Sequence, residues 1–141
     1  MDLKDIYTEV IMEHSKNKFN KRPMEDPTYT ELGHNPSCGD EITLNIKLDG
    51  DIIEDASFEG SGCAISQAST SMMIDLIKGK SVKEAKKLIE TFLGMIKGTV
   101  TDEEELDVLE DAVVLENVSK LPQRVKCAVL AWHTLDNILS K

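Results

Sequence analysis

From Glu41 to Leu48 apolar and polar residues alternate without a break, with Ile42, Leu44, Ile46 and Leu48 in one set and Thr43, Asn45 and Lys47 in the other. A period of two sends successive side chains to opposite faces, so this stretch predicts a half-buried β-strand. Asp49-Gly50-Asp51 follows, and Ile52 to Phe58 then makes a partner strand, a hairpin signal. With Gly50-Asp51 as a two-residue turn, Asp49 faces Ile52, and the same register carried along the ladder sets Cys38 opposite Cys63. A bulge would shift that pairing by one residue and still leave both cysteines at the end of the hairpin away from its turn.

Elsewhere the apolar spacing is three and four, the mark of helical faces. Leu3, Ile6, Tyr7, Val10 and Ile11 predict a first helix over Asp2 to His14, with Asp2 as its cap. Ser15 to Pro36 is polar and holds Pro23, Pro27 and Gly33, so it reads as an extended connector with a short strand around Tyr29 to Leu32. Ile65, Ala68, Met72, Met73, Leu76 and Ile77 predict a helix from Ala64 to Ile77, starting at Cys63 and ending near Gly79. Ser81 to Glu84 forms a capping box ahead of Val82, Ala85, Leu88, Ile89 and Phe92, and Thr101 to Glu104 repeats it ahead of Leu106, Leu109 and Val113. Pro122 suits the first turn of a terminal helix bearing Val125, Val129, Trp132, Leu135, Ile138 and Leu139. Met72, Met73 and the Trp132 stripe are read as core packing.

The chain has 141 residues, 40% of them hydrophobic, enough for one domain with its own core. Sixteen basic residues against 26 acidic ones give a net charge of −10, the wrong sign for a nucleic-acid partner and the right one for a partner with a basic docking surface. Asp102-Glu103-Glu104-Glu105 lacks the spacing of a calcium loop and reads as a solvated helix N-terminus. The amino terminus, Met1-Asp2-Leu3-Lys4-Asp5, has no secretory pattern, and no apolar run approaches a membrane span, so a cytoplasmic protein without membrane association is expected. Three cysteines in such a chain point to metal binding or catalysis rather than to a disulfide framework.

Cys38 lies in Asn35-Pro36-Ser37-Cys38-Gly39-Asp40, Cys63 in Gly60-Ser61-Gly62-Cys63-Ala64 at a helix start, and Cys127 near the start of the last helix beside Arg124 and Lys126. Helix N-termini and nearby cations favour thiolate over thiol, and the thiolate is the form that binds metals and attacks sulfur. Cys38, Asp40, Cys63 and Cys127 together supply three thiolates and a carboxylate, a set that suits tetrahedral zinc or an iron–sulfur cluster. Two plainer readings compete. One is a purely structural zinc site on the same four residues; the other is a cysteine nucleophile with His34, His133 or His14 as its base. Each histidine also reads as an ordinary loop or helix-surface residue, Asp40 as a turn cap and Lys126 as a solvated side chain. Neither His-x-Glu nor Pro-Cys-x-x-Cys occurs, which disfavours a zinc deaminase.

The blocks Asn35 to Asp40, Phe58-Glu59-Gly60-Ser61-Gly62-Cys63-Ala64-Ile65-Ser66 and Arg124-Val125-Lys126-Cys127-Ala128-Val129-Leu130-Ala131-Trp132 occur in this order. Through them nearly the whole chain, 1–141, resembles the U-type iron–sulfur cluster assembly proteins, the family of IscU, SufU and the amino-terminal domain of NifU. The resemblance implies an α+β fold: a small antiparallel sheet of about three strands packed against several helices, with the metal site at one end of the sheet. It also implies that Cys38, Asp40, Cys63 and Cys127 are the metal or cluster ligands and that sulfur arrives as a persulfide from a pyridoxal-phosphate cysteine desulfurase. The chain departs from IscU at Lys126, where IscU has histidine, and at Leu121-Pro122-Gln123-Arg124-Val125-Lys126, where IscU carries the chaperone-recognised Leu-Pro-Pro-Val-Lys. It also departs in a longer stretch between about Glu90 and Asp111. All three lean toward the SufU branch and a SufS-like desulfurase.

The expectation is therefore a zinc-bound sulfur acceptor. Cys38, on the most mobile ligand segment, leaves the metal when the desulfurase docks and takes the sulfur, while Cys63 and Cys127 stay anchored at helix starts. Arg124, three residues before Cys127, is expected to orient Asp40 or the incoming persulfide. The rival is a scaffold that uses the same ligands to build a transient [2Fe-2S] cluster from iron and passes it to apo-proteins.

Overall fold

The computed structural model describes residues 9–16, 18–36 and 39–141. Three strands, β1 (Tyr29–Asn35), β2 (Asp40–Asp49) and β3 (Ile52–Ser61), form an antiparallel sheet in the order β1-β2-β3. On β2 the alternation holds: Ile42, Leu44 and Ile46 are fully buried against the helices. Asn45, placed by its period on the polar face, is buried as well. Thr30 donates to its Oδ1 at 3.0 Å and its Nδ2 donates to Ser57 Oγ at 3.3 Å, so three register partners, one per strand, share hydrogen bonds across the sheet.

The hairpin turns as expected, with Asp49 opposite Ile52 and Leu48 opposite Ile53. A bulge between Lys47 and Leu48 then puts Lys47 opposite Asp55 and shifts every later pair by one residue, as far as Glu41 and Ser61. The expected pairing of Cys38 with Cys63 involves a residue outside the described set. Strand β1 runs three residues beyond the Leu32 end expected of it, because Gly33 lets it lie against the last helix: a Cβ there would collide with Thr134 Oγ1.

Helix α1 (Glu9–Lys16) is the described part of the first predicted helix and runs two residues past His14; Asp2 to Thr8 lie outside the described residues. Helix α2 (Ala64–Ile77) has the expected bounds, with Cys63 as its N-cap. It is buried nearly all round, packed by α1, β3 and the terminal helix. Helix α3 (Val82–Lys97) starts at the Ser81–Glu84 capping box and buries Ala85, Leu88, Ile89 and Phe92.

The second capping box does not form. Asp102 is the cap, accepting from Glu104 N–H at 3.0 Å, and only the single turn α4 (Glu103–Leu106) follows. The chain continues as a 3₁₀ run over Asp107–Lys120, interrupted at Glu110, whose φ is 48°. The buried residues Leu106, Leu109, Ala112, Leu115 and Val118 recur every third position, the period of a 3₁₀ helix, and this puts Val113 on the outside at 36% exposure. Helix α5 (Pro122–Leu139) has Pro122 in its first turn, as expected. Trp132 on α5 is fully buried, stacks on Phe92 at 4.1 Å between ring centroids, and donates from Nε1 to Ser69 Oγ at 2.9 Å. The result is the α+β arrangement expected, a three-stranded sheet covered by helices.

Asp55 on β3 binds Arg22 Nη2 at 2.8 Å and sits 3.7 Å from Lys78 Nζ, which ties the connector and the end of α2 to the sheet. Burial pushes the Asp55 carboxyl up, but hydrogen bonds from Arg22 and the Ala56 N–H, with the charges of Arg22 and Lys78, together hold it below its ordinary value. Among the described residues, no helix is long and apolar enough to cross a membrane.

Candidate metal centre

Asp40, Cys63 and Cys127 come together where β2 begins, where the segment after β3 enters α2, and at the second turn of α5. Their ligand atoms, one carboxylate oxygen and two sulfurs, all lie within 4.8 Å of one another. A single ion with bonds of about 2.0–2.3 Å joins such a group after small side-chain rotations. Both cysteines are thiols.

Cys63 caps α2 with its sulfur, which accepts from Ser66 N–H at 3.5 Å, the role that serine or aspartate usually fills. Asp40 is 0% exposed, and its Oδ1 accepts from Cys63 N–H at 2.9 Å. Gly62 makes that contact feasible, since a Cβ there would stand 2.8 Å from Asp40 Oδ1. Cys127 is 1% exposed on the inner face of α5 and donates to Gln123 O at 3.9 Å.

The other carboxylate oxygen, Asp40 Oδ2, is buried and has no hydrogen-bond partner among the described residues. Leaving a buried polar atom unmet costs about 1–3 kcal/mol, and more for a charged group, so a cation at this oxygen answers a standing deficit. Two thiolates favour zinc or iron–sulfur chemistry over magnesium or calcium, which take oxygen ligands. The residues present therefore fit a zinc or iron centre.

The other residues singled out from the sequence are placed as follows. Cys38 lies outside the described residues; Gly39, which precedes Asp40, is exposed. Arg124 is half-buried in the first turn of α5, three residues before Cys127, and lines a cleft with Leu121, Pro122 and Gln123. Lys126 and His133 are exposed on α5. His34 is exposed on β1, with Glu41 as its register partner. His14 has its Nδ1 3.4 Å from Ser71 Oγ and its Nε2 3.2 Å from Asp111 Oδ2. No histidine joins the Asp40–Cys63–Cys127 group among the described residues.

Two buried polar side chains beside the site were missed from the sequence. Asn35 is the register partner of Asp40 and is 7% exposed. Ser66 is 1% exposed, with a hydroxyl that meets no partner among the described residues. Its position three residues after a cysteine N-cap was the available signal.

Residues 6–128 match the family described as the NifU-like N terminal domain. The chain belongs to this family. It is 46% identical over 140 residues to the zinc-dependent sulfurtransferase SufU of Bacillus subtilis, covering 99% of this chain and 93% of that protein. It is 41% identical over 141 residues to the iron–sulfur cluster assembly scaffold protein IscU of Thermotoga maritima, covering 100% and 97%. Among solved structures, the putative iron–sulfur cluster assembly scaffold protein for the SUF system from Fervidobacterium islandicum superposes with a TM-score of 0.90 at 44% identity, covering 95% of this chain and 96% of that one. The family thus includes proteins named for zinc-dependent sulfur transfer and proteins named for cluster scaffolding.

Proposed function

We propose that this chain, as one domain, accepts persulfide sulfur from a SufS-like pyridoxal-phosphate cysteine desulfurase during iron–sulfur cluster assembly, with zinc held by Cys38, Asp40, Cys63 and Cys127. The observation that carries the proposal is the convergence of two thiols, Cys127 buried and Cys63 half-buried, with a buried carboxylate whose second oxygen has no partner among the described residues. When bound, zinc supplies a positive charge that keeps thiols deprotonated near neutral pH without redox chemistry of its own.

In the proposed transfer the Cys38 thiolate attacks the terminal sulfur of the desulfurase persulfide. A sulfur–sulfur bond forms at Cys38, the one in the donor breaks, and its electron pair leaves on the desulfurase cysteine as a thiolate. Cys63, at the start of α2, and Cys127, in the second turn of α5, hold their places while this happens. Arg124, one turn before Cys127, is assigned to orienting the incoming anionic sulfur. A reducing cytoplasm suits such thiols.

A second reading, a scaffold for a transient [2Fe-2S] cluster passed to apo-proteins, is favoured by the likeness to the Thermotoga relative named for that role. Elemental analysis and an absorption spectrum of anaerobically purified protein separate the two. About one zinc per chain without visible absorbance is the expected result; iron with matching acid-labile sulfide would establish the scaffold instead.

A further inference from the structure

We propose that Ser66 is a positioning residue of the metal centre, its hydroxyl donating a hydrogen bond to the Cys63 thiolate when that sulfur is a ligand. The inference rests on the metal site of the proposed function and goes beyond its four ligands.

Ser66 stands in the first turn of α2, three residues after the Cys63 cap, and its backbone N–H already reaches Cys63 Sγ at 3.5 Å. Its Cβ lies 3.3 Å from the point a Gly62 Cβ would occupy, and the Asp40 carboxyl carbon lies 3.3 Å from the same point. The serine and the ligand carboxylate thus flank one glycine. The other buried hydroxyls of α2 have partners: Thr70 Oγ1 donates to Ser66 O, Ser69 Oγ donates to Ala128 O, and Ser71 Oγ accepts from Asn20. Ser66 Oγ alone among them is buried without one in the described structure.

A metal centre explains that exception. Two thiolates and a carboxylate outweigh the charge of a dication by one, and a Cys38 thiolate would add another, so the bound site carries excess negative charge, with Asp40 and Cys127 out of reach of solvent. Hydrogen-bond donors aimed at the sulfurs spread that charge. The Ser66 N–H is one such donor, and a turn about χ1 makes the hydroxyl of the same residue a second. Groups that hydrogen-bond metal ligands in this way support affinity by about 10–100-fold.

The test compares wild type, Ser66→Ala and Ser66→Thr. Each is loaded with zinc and challenged with a chromophoric chelator, and each is also loaded with cobalt for its thiolate-to-cobalt absorption bands. Expected for Ser66→Ala are roughly tenfold weaker zinc retention and displaced cobalt bands. Its metal-free unfolding midpoint should be unchanged or higher, because an unsatisfied buried hydroxyl has been removed. Ser66→Thr, which keeps the hydroxyl, should restore zinc retention toward wild type. Equal zinc retention in wild type and Ser66→Ala overturns the inference, as does a Ser66→Thr protein that behaves like Ser66→Ala. Wild-type protein that takes up no zinc overturns the metal reading itself.

Discussion

Asp40→Ala is expected to strip the chain of zinc. Asp40 is fully buried, offers one oxygen to Cys63 N–H at 2.9 Å, and leaves the other, beside two converging thiols, without a partner among the described residues. Removing a direct ligand weakens binding more than removing an outer hydrogen-bond partner does, so the loss in affinity should exceed about 100-fold. Asp40→Asn makes the test specific. It keeps an oxygen to accept from Cys63 N–H, and with it the entry into α2, but removes the negative charge of the proposed ligand. Both variants should fold and both should lose zinc on desalting, measured by elemental analysis against wild type. An Asp40→Asn protein that keeps a full equivalent of zinc would show that the carboxylate serves the α2 turn alone.

Trp132→Ala should produce the largest loss of stability. Truncating a fully buried tryptophan costs about 3–5 kcal/mol, and the Phe92 stack at 4.1 Å with 7° between planes adds about 0.5–1.5 kcal/mol. Against the 5–15 kcal/mol or so that holds an ordinary domain together, this is about a quarter of the total or more. The effect should reach the metal centre. Trp132 Nε1 donates to Ser69 on α2 and Ser69 donates to Ala128 on α5, so this pair of bonds joins the helices that begin at Cys63 and carry Cys127. Urea unfolding of the metal-free variant reads the first effect and zinc retention reads the second. A change in stability below about 1 kcal/mol would contradict the first expectation, and zinc retention equal to wild type would mean that the site does not depend on this junction.

The sheet, α2, the start of α3 and the start of α5 were legible because each rests on a local rule: strict alternation in β2, a helical stripe from Ile65 to Ile77, the Ser81–Glu84 box, and proline at a first turn. The features that escaped depend on packing between distant segments. The bulge between Lys47 and Leu48 has no residue signature, since neither is glycine. Asn45 is buried because Thr30 and Ser57 meet it across the sheet, which a period of two cannot show. In 107–120 the apolar residues fit a period of three, yet Leu109 and Val113 are four apart and invited an α-helical reading that left Val113 on the wrong side. At the site, Asp40, Cys63 and Cys127 were identifiable from their flanking residues, whereas the burial of Ser66 follows from how α2 is enclosed.

The sharpest measurement is the location of the transferred sulfur. Zinc-loaded protein is incubated with a cysteine desulfurase and cysteine, then digested without reductant and mapped by mass spectrometry, with Cys38→Ser in parallel. One extra sulfur on the peptide holding Cys38, none on those holding Cys63 or Cys127, and none anywhere in Cys38→Ser is the expected result. Sulfur on Cys63 or Cys127, or a Cys38→Ser protein that accepts as much as wild type, would contradict it.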